Sequence, residues 1–319
     1  MQVVSANEVN SMTVCGVLVT YNPDETIKRV VQTSLEELDA LVLIDNNSDD
    51  RSRSLIKESL NLIHWSSQSK CQIHLILNKE NEGLPKSYNN GIKFALKNNY
   101  DFMIFLDQDS ILTTNTISML KKCYSTLSRF EKNFALTANN IEARPLVLDG
   151  VLNDYYIRKG LKAYDCAREV MLIINSGFFI SAQKIALAGL FDEKYFIDSV
   201  DHEISLRLGL MGTKLFLVKD AVINHSLGQS RSSGIKSLRF SFNEHGPARS
   251  YYIFRDRTRT VIKYFKKYPV LTSLMAASIV LQFFITIIFF KKRLEHLSAI
   301  INGLFDVIKP SSGGRQWQI

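Results

Sequence analysis

The sharpest chemical grouping in the sequence is Asp107-Gln108-Asp109, set directly after the apolar run Phe102-Met103-Ile104-Phe105-Leu106. Two carboxylates one residue apart at a strand end can share a hard cation with phosphate oxygens. Mg²⁺ and Mn²⁺ take few protein carboxylates and complete their octahedron with phosphate and water. Such a cation would offset the charge developing on a departing nucleoside diphosphate. An acidic pair there is also a common turn former, so the motif alone leaves both readings open. Asp45-Asn46-Asn47-Ser48 is a second candidate: its acid can pair with a ribose hydroxyl or a base N–H, or it is an Asx-rich turn leading to a helix. The stretch NEGLPKSYNNG at 81–91 is a third, and its Gly-Leu-Pro suits a helix start with or without a ligand. No strand is followed by G-x-G-x-x-G or a P-loop, which argues against a dinucleotide oxidoreductase or an NTPase.

The elements that must position these groups show in the apolar pattern. From Thr13 to Ala138 short β-rich runs alternate with amphipathic stretches, the signature of a parallel sheet covered by helices. Strands are predicted at 14–20, 41–45, 73–77, 102–106 and 134–137. A first helix is predicted to start with Asn22 as cap, Pro23 at the first helical position and Glu25 three residues after the cap. Ile27, Val30, Val31, Leu35 and Leu38 then recur at helical spacing. This is a Rossmann-like α/β unit. Ligands of such sheets bind beyond the carboxyl ends of the strands, where all three polar motifs fall. Further on come a mixed segment at 139–168, an apolar run at 169–181 and a helix near 182–188. A polar-acidic segment at 192–207 follows, then strands near 215–218 and 221–223 that lead into His225.

At 319 residues, with 46% hydrophobic and 22% charged residues, the chain has ample material for a buried core. Its net charge of +8 is concentrated. Between Arg249 and Lys267 seven basic residues stand against one acid, and Lys291, Lys292 and Arg293 stand against Glu295. These basic stretches flank the most apolar run in the chain, so an anionic membrane surface is the expected partner, not nucleic acid. The run after Pro269 is uncharged for 21 residues, enough to cross ~30 Å of hydrocarbon. Leu294, Leu297, Ile301, Leu304 and Ile308 then mark an amphipathic helix. A span, an in-plane or re-entrant helical pair, and a buried pair in a soluble domain all fit. The in-plane pair is favoured because positive charge on both flanks selects no orientation. The N-terminus shows no secretory signal. Cys15, Cys71, Cys123 and Cys166 are scattered, and are expected to be reduced thiols in a cytosolic setting.

Four motifs in order carry a family resemblance: V-T-Y-N at 19–22, I-D-N-N-S at 44–48, N-x-G-x-x-x-x-x-N-x-G at 81–91 and L-D-Q-D-S at 106–110. The series resembles the family-2 glycosyltransferases, most of all bacterial rhamnosyltransferases, from about Thr13 to His225, with the C-terminal helices also similar. The resemblance implies a GT-A fold: a Rossmann-like, mostly parallel sheet flanked by helices, followed by a C-terminal helical membrane-associating region. It implies residues 1–230 as the transferase domain, with a nucleotide-sugar half at about 13–138 and an acceptor half at about 139–230, and 231–319 as the membrane-associating region. By position, it implies Thr20, Asn22 and Asp45 at the nucleoside and Gly83 and Asn89 near the nucleotide, Asn89 holding either loop geometry or the donor. Asp107 falls on the ribose side and Asp109 on a divalent cation, Mn²⁺ or Mg²⁺.

Family members carry an E-D-x-D-type motif at a helix start, whose second acid is the catalytic base. The matching stretch here is Val200-Asp201-His202-Glu203. Asp201 takes the base position, while Val200 departs from the usual acid and leaves Asp198 and Glu203 as rivals. An inverting transfer needs one carboxylate within hydrogen-bond reach of the acceptor hydroxyl, although an Asp here can also simply cap its helix. Asn175-Ser176-Gly177 is expected near the donor or acceptor sugar. His225, in H-x-x-G, matches an element that completes the metal site in several relatives, and imidazole suits Mn²⁺. The expected reaction is transfer of L-rhamnose from dTDP-rhamnose to a lipid-linked or polysaccharide acceptor at the cytoplasmic side of the cell membrane. A membrane-associated nucleotide-sugar binding protein without activity is the alternative, against which the intact carboxylates at 107, 109 and 201 speak.

Overall fold

The computed structural model describes residues 11–61, 70–140, 162–225, 231–232, 241–242 and 245–308. Their contacts divide the chain into two compact units. The first holds the described residues up to Lys194 together with 200–225; the second holds Tyr195–Ser199 and the C-terminal helices.

The first unit is built on a nine-stranded sheet. Its strands are β1 (Val14–Thr20), β2 (Ala40–Asp45), β3 (Gln72–Leu77), β4 (Phe102–Asp107), β5 (Ser110–Leu112), β6 (Phe134–Asn140), β7 (Ala167–Val170), β8 (Phe178–Ser181) and β9 (Lys214–His225). They run in the order β3-β2-β1-β4-β8-β6-β9-β5, with β7 also on β9. Strands β3, β2, β1 and β4 are mutually parallel, and β1 and β2 are buried along their whole length. Both faces of β1 and β2 are covered, which is why they read as unbroken apolar runs and not as alternating ones. In the other half β8 pairs antiparallel with β4 and β6, while β6 and β9 are parallel.

The connecting helices are α1 (Thr26–Glu37), α2 (Asp50–Asn61), α3 (Gly83–Lys97), α4 (Thr116–Leu127), α5 (Ala182–Leu187) and α6 (Val200–Leu210). Helix α1 starts later than predicted. Asn22 does not cap it; its N–H donates to Ser48 Oγ at 2.8 Å and its Oδ1 accepts from the Asp49 N–H at 2.9 Å. Asp24 takes over at the helix start, accepting the Thr26 N–H at 2.9 Å. The expectation of four reduced cysteines is corrected as well. Cys123 and Cys166 form a disulfide with Cα atoms 5.8 Å apart, a spacing that admits the bond. Cys15 and Cys71 take no part in a disulfide, and burial pushes both thiols up to about 12.

The second unit contains α7 (Pro247–Tyr264), α8 (Pro269–Phe289) and α9 (Arg293–Ile308). Tyr251, Tyr252 and Ala299 pack together, as do Ile253, Phe254 and Ile300. Gly303 lets α9 approach α7 closely, since a Cβ there would lie 2.6 Å from the Tyr251 carbonyl oxygen. Helix α8 is the one described helix long and apolar enough to cross a membrane.

Candidate active site

The parallel register brings the polar motifs to one edge of the first unit. Thr20 stands beside Asp45 on neighbouring strands, and Val19 beside Asp107. Asp45 is fully buried. Its carboxylate accepts from Thr20 Oγ1 at 3.3 Å, from the Ser48 N–H at 3.2 Å and from Ser48 Oγ. Arg53 lies 3.5 Å away. Burying a carboxylate is costly unless it is hydrogen-bonded, and here the loop after β2 meets that need. Asn46 is the hub of the same edge: its N–H donates to the Thr20 carbonyl, and its Oδ1 accepts from Asn78 Nδ2 at 2.8 Å and Ser87 Oγ at 3.0 Å.

Helix α3 begins at Gly83 with φ +78°, a left-handed conformation that favours glycine. The Gly83 N–H donates to Asn81 Oδ1 at 3.1 Å. Asn89, by contrast, spends its amide inside the protein. Its Nδ2 donates to the Phe191 carbonyl at 3.0 Å and to Glu193 Oε1 at 2.8 Å, and its Oδ1 accepts the Phe191 N–H at 2.9 Å. Of the two roles expected for Asn89, these bonds serve loop geometry; donor contact would have to displace one of them.

The D-Q-D-S turn is braced from three sides. The Asp107 N–H donates to Ser110 Oγ at 3.0 Å, and Ser110 Oγ lies 2.5 Å from Ser176 Oγ. Gln108 Oε1 accepts the Tyr21 N–H at 2.8 Å, which ties the turn to the end of β1. The Gly177 N–H donates to the Phe105 carbonyl at 2.8 Å. The N-S-G stretch therefore lies against the acidic turn. Asn175 beside it is buried, and its Oδ1 makes no hydrogen bond, a feature that calls for a partner.

Tyr88 was not singled out from the sequence. It is fully buried, and its hydroxyl donates to Asp107 Oδ1 at 3.3 Å. Burial foremost, then the charges of Asp107 and Asp201, hold the phenol well above its ordinary value. Tyr88 thus senses two of the expected site carboxylates. Its sequence signal was an aromatic one turn into a Gly-Pro helix start, which is indistinguishable from core.

Asp201 is partly exposed in the first turn of α6, and its Oδ1 accepts the His202 N–H at 2.8 Å. The rival carboxylates are engaged elsewhere. Glu203 is 1% exposed and takes Arg207 in a two-pronged pair at 3.0 and 2.8 Å. Asp198 receives Arg257 at 2.9 and 3.3 Å. His225 ends β9, and its backbone is paired with Ser110, next to Asp109. Among the described residues no group of three or more His, Cys, Asp and Glu side chains could hold a metal ion.

A parallel sheet with a braced acidic turn at its carboxyl edge, continued by antiparallel strands, is the GT-A fold. Two solved structures share the fold at a TM-score of 0.54: S. aureus TarS in complex with UDP-GlcNAc, and GalNAc-T7 with UDP, GalNAc and Mn²⁺. The first is 16% identical, covering 93% of this chain and 81% of that one; the second is 17% identical, covering 81% of this chain and 49% of that one. The family model for glycosyl transferase family 2 matches residues 16–127, from β1 through α4. The chain is also 26% identical over 316 residues to the dTDP-rhamnosyl transferase RfbF of Shigella flexneri, covering 95% of this chain and 97% of that protein. Residues 16–127 are thus similar to the family-2 glycosyltransferases, and the chain as a whole is similar to a rhamnosyl transferase.

Proposed function

We propose that this glycosyltransferase is an inverting, metal-dependent enzyme that moves L-rhamnose from dTDP-rhamnose to a lipid-linked or polysaccharide acceptor. The observation that carries the reading is the acidic turn at Asp107, braced by Tyr88, Ser110 and Gln108 at the carboxyl edge of the parallel sheet. It is joined by similarity along nearly the whole chain to a protein described as a dTDP-rhamnosyl transferase.

In this reading Thr20 and Asn22 edge the nucleoside pocket. Asp45 and Asn46 hold its loop in shape, while Gly83 and Asn89 shape the loops beside the nucleotide. Asp107, steadied by Tyr88 and Ser110, accepts from the ribose. Asp109 and, by the resemblance, His225 would hold Mn²⁺ or Mg²⁺, which when bound supplies Lewis-acid stabilisation of the diphosphate leaving group. Asp201 takes the proton from the acceptor hydroxyl as that oxygen bonds to the sugar carbon. The bond from that carbon to the phosphate oxygen breaks on the opposite face, and its electron pair leaves with dTDP. Asp198 and Glu203 are committed to arginines, which supports Asp201.

The C-terminal helices are read as the attachment to the cytoplasmic membrane face. In support, Val280, Leu281, Phe284 and Ile288 of α8 are each about half exposed. Lys266, Lys267, Lys291, Lys292 and Arg293 stand at the helix ends to meet anionic lipid.

The test is donor turnover: purified protein with Mn²⁺ or Mg²⁺, a panel of nucleotide sugars, and nucleoside-diphosphate release followed with and without membrane lipid extract. Release from dTDP-rhamnose alone, lost in Asp109→Ala and Asp201→Ala, is the expected result. Release from another donor would discard rhamnose and keep the mechanism. Tight nucleotide binding without release from any donor, lipid extract included, would favour a binding protein.

A further inference from the structure

Helix α8 is long and apolar enough to cross a membrane, yet the helix it is fastened to is not fit to accompany it. Only residues 265–268 separate α7 from α8, and α8 runs back along α7. Ile279 and Phe283 of α8 pack against Ile253 and Phe254 of α7 and Ile300 of α9, and the Phe254 and Phe283 rings stand 6.4 Å apart. At a rise of about 1.5 Å per residue, Ile279 lies about 15 Å from the start of α8, the midplane of a hydrocarbon core about 30 Å thick. The part of α7 that follows Phe254 therefore lies alongside the first half of α8. It carries Arg255, Asp256, Arg257, Arg259 and Lys263.

Those charges are bound into the second unit. Asp256 is fully buried, with Arg255 at 2.7 Å and Arg259 at 3.2 Å, and it accepts the Phe196 N–H at 3.1 Å. Arg257 pairs with Asp198 at 2.9 Å. Charged side chains near a bilayer centre are tolerated where they face water or snorkel to the surface, and side chains held in such pairs are not placed to snorkel. A crossing α8 would carry all of them into one half of the hydrocarbon layer.

The opposite face of α8 is exposed from end to end. Val270, Ser273, Ala277, Val280, Phe284 and Ile288 follow one another in steps of three and four, and none is charged. Beyond both ends of this stripe stand exposed basic residues: Lys266 and Lys267 before it, Lys291, Lys292 and Arg293 after it. From 266 to 295 the one acid is Glu295, 3.3 Å from Lys292. An uncharged stripe with positive charge at both ends complements an anionic lipid surface, where acyl chains meet the stripe and phosphates meet the lysines.

We infer that α8 lies flat in one face of an anionic phospholipid bilayer, with the stripe from Val270 to Ile288 sunk into the acyl boundary. Helices α7 and α9 take the place of the polar face of an isolated interfacial helix, and both ends of α8 stay on the same side of the membrane. This rests on reading the C-terminal helices as the membrane attachment, and adds to it the chemistry of the lipid and the manner of contact.

The experiment uses the full chain carrying Lys266→Cys or Lys292→Cys, two exposed positions at opposite ends of α8. The variants are expressed in bacteria, and sealed inner-membrane vesicles are prepared with the cytoplasmic face outward. A membrane-impermeant polymer maleimide then adds one mass step per accessible cysteine, counted against wild type. In parallel, purified wild type is partitioned onto vesicles of phosphatidylcholine alone and of phosphatidylcholine with phosphatidylglycerol. The expected result is one extra mass step in each variant without detergent, and partition at least about tenfold stronger on the anionic vesicles. A variant that gains its step only after detergent would show α8 crossing, which overturns the flat arrangement and leaves the attachment standing. Equal partition onto both lipids would overturn the anionic surface. Protein that stays in the supernatant with either lipid would remove the attachment itself, and a dimer in analytical ultracentrifugation would then assign the stripe to a second copy of the chain.

Discussion

Replacing Tyr88 by Phe removes one oxygen from the centre of the site and nothing else. The ring keeps its edge contact with Phe105 at 4.9 Å and its tilted contact with Phe191 at 5.1 Å, so packing around α3 survives. What is lost is a hydrogen bond to a carboxylate, a class worth about 1.5–3 kcal/mol. The 3.3 Å separation is longer than the usual hydroxyl–oxygen range, and Asp107 is partly exposed, so water can replace some of the interaction. Both facts select the lower end, about 1.5 kcal/mol, or roughly a tenfold fall in kcat/KM if Asp107 must be held for the donor. Burial, Asp107 and Asp201 all raise the phenol's pKa, so Tyr88 stays a neutral donor throughout the working range. The loss should therefore be the same at every pH from about 6 to 9. Nucleoside-diphosphate release measured across that range, with a melting curve for each protein, checks both statements. A Tyr88→Phe enzyme within about twofold of wild type, or one whose deficit grows at high pH, would refute the argument.

Gly91→Ala should destabilise the protein. The new Cβ would stand 2.5 and 2.6 Å from the two methyls of the fully buried Val17, and such overpacking costs about 1–3 kcal/mol against a helix-propensity gain of up to about 1 kcal/mol; a raised melting temperature would contradict this. Glu131 is held at about 2, chiefly by Lys162, then by Lys214 and Tyr164. Because its folded value lies below the ordinary one, its contribution is present above about pH 4.5 and fades as the pH falls towards 2. The melting-temperature gap between wild type and Glu131→Gln should close over that window, and a constant gap would exclude the ionic account. Phe284→Asp combined with Ile288→Asp should move the protein from the vesicle-bound to the soluble fraction, since each removes a large apolar side chain worth about 1.5–3 kcal/mol when buried; unchanged sedimentation with vesicles would remove α8 from the membrane reading.

The parallel half was legible because β1, β2 and β4 are covered on both faces, and continuous apolar runs with polar residues at their ends leave few alternatives. The acidic turn and the loops after β2 and β3 were legible for the same reason. Partners were not. Nothing in the spelling of Asn89 or Asn46 says whether an amide faces a ligand or another loop, and Asn22 has the composition of a helix cap while bridging to Ser48 and Asp49. Strand β9 was read as two pieces because Lys219 and Asp220 interrupt its apolar pattern, although its pairing shifts register beside them and continues. The link from Tyr195–Ser199 to α7 spans about sixty residues, and the cysteine pair 43, distances at which local pattern is silent.

That cysteine pair also fixes what a protease could accomplish. The bond joins α4 to the residue before β7, so every peptide bond between Cys123 and Cys166 lies inside a covalently closed loop. A single cut anywhere in that loop would separate no mass. The nicked chain would migrate as one species until a reductant was added, and only then as two fragments. Any account of this protein's integrity drawn from size alone therefore depends on the redox state in which the sample was read.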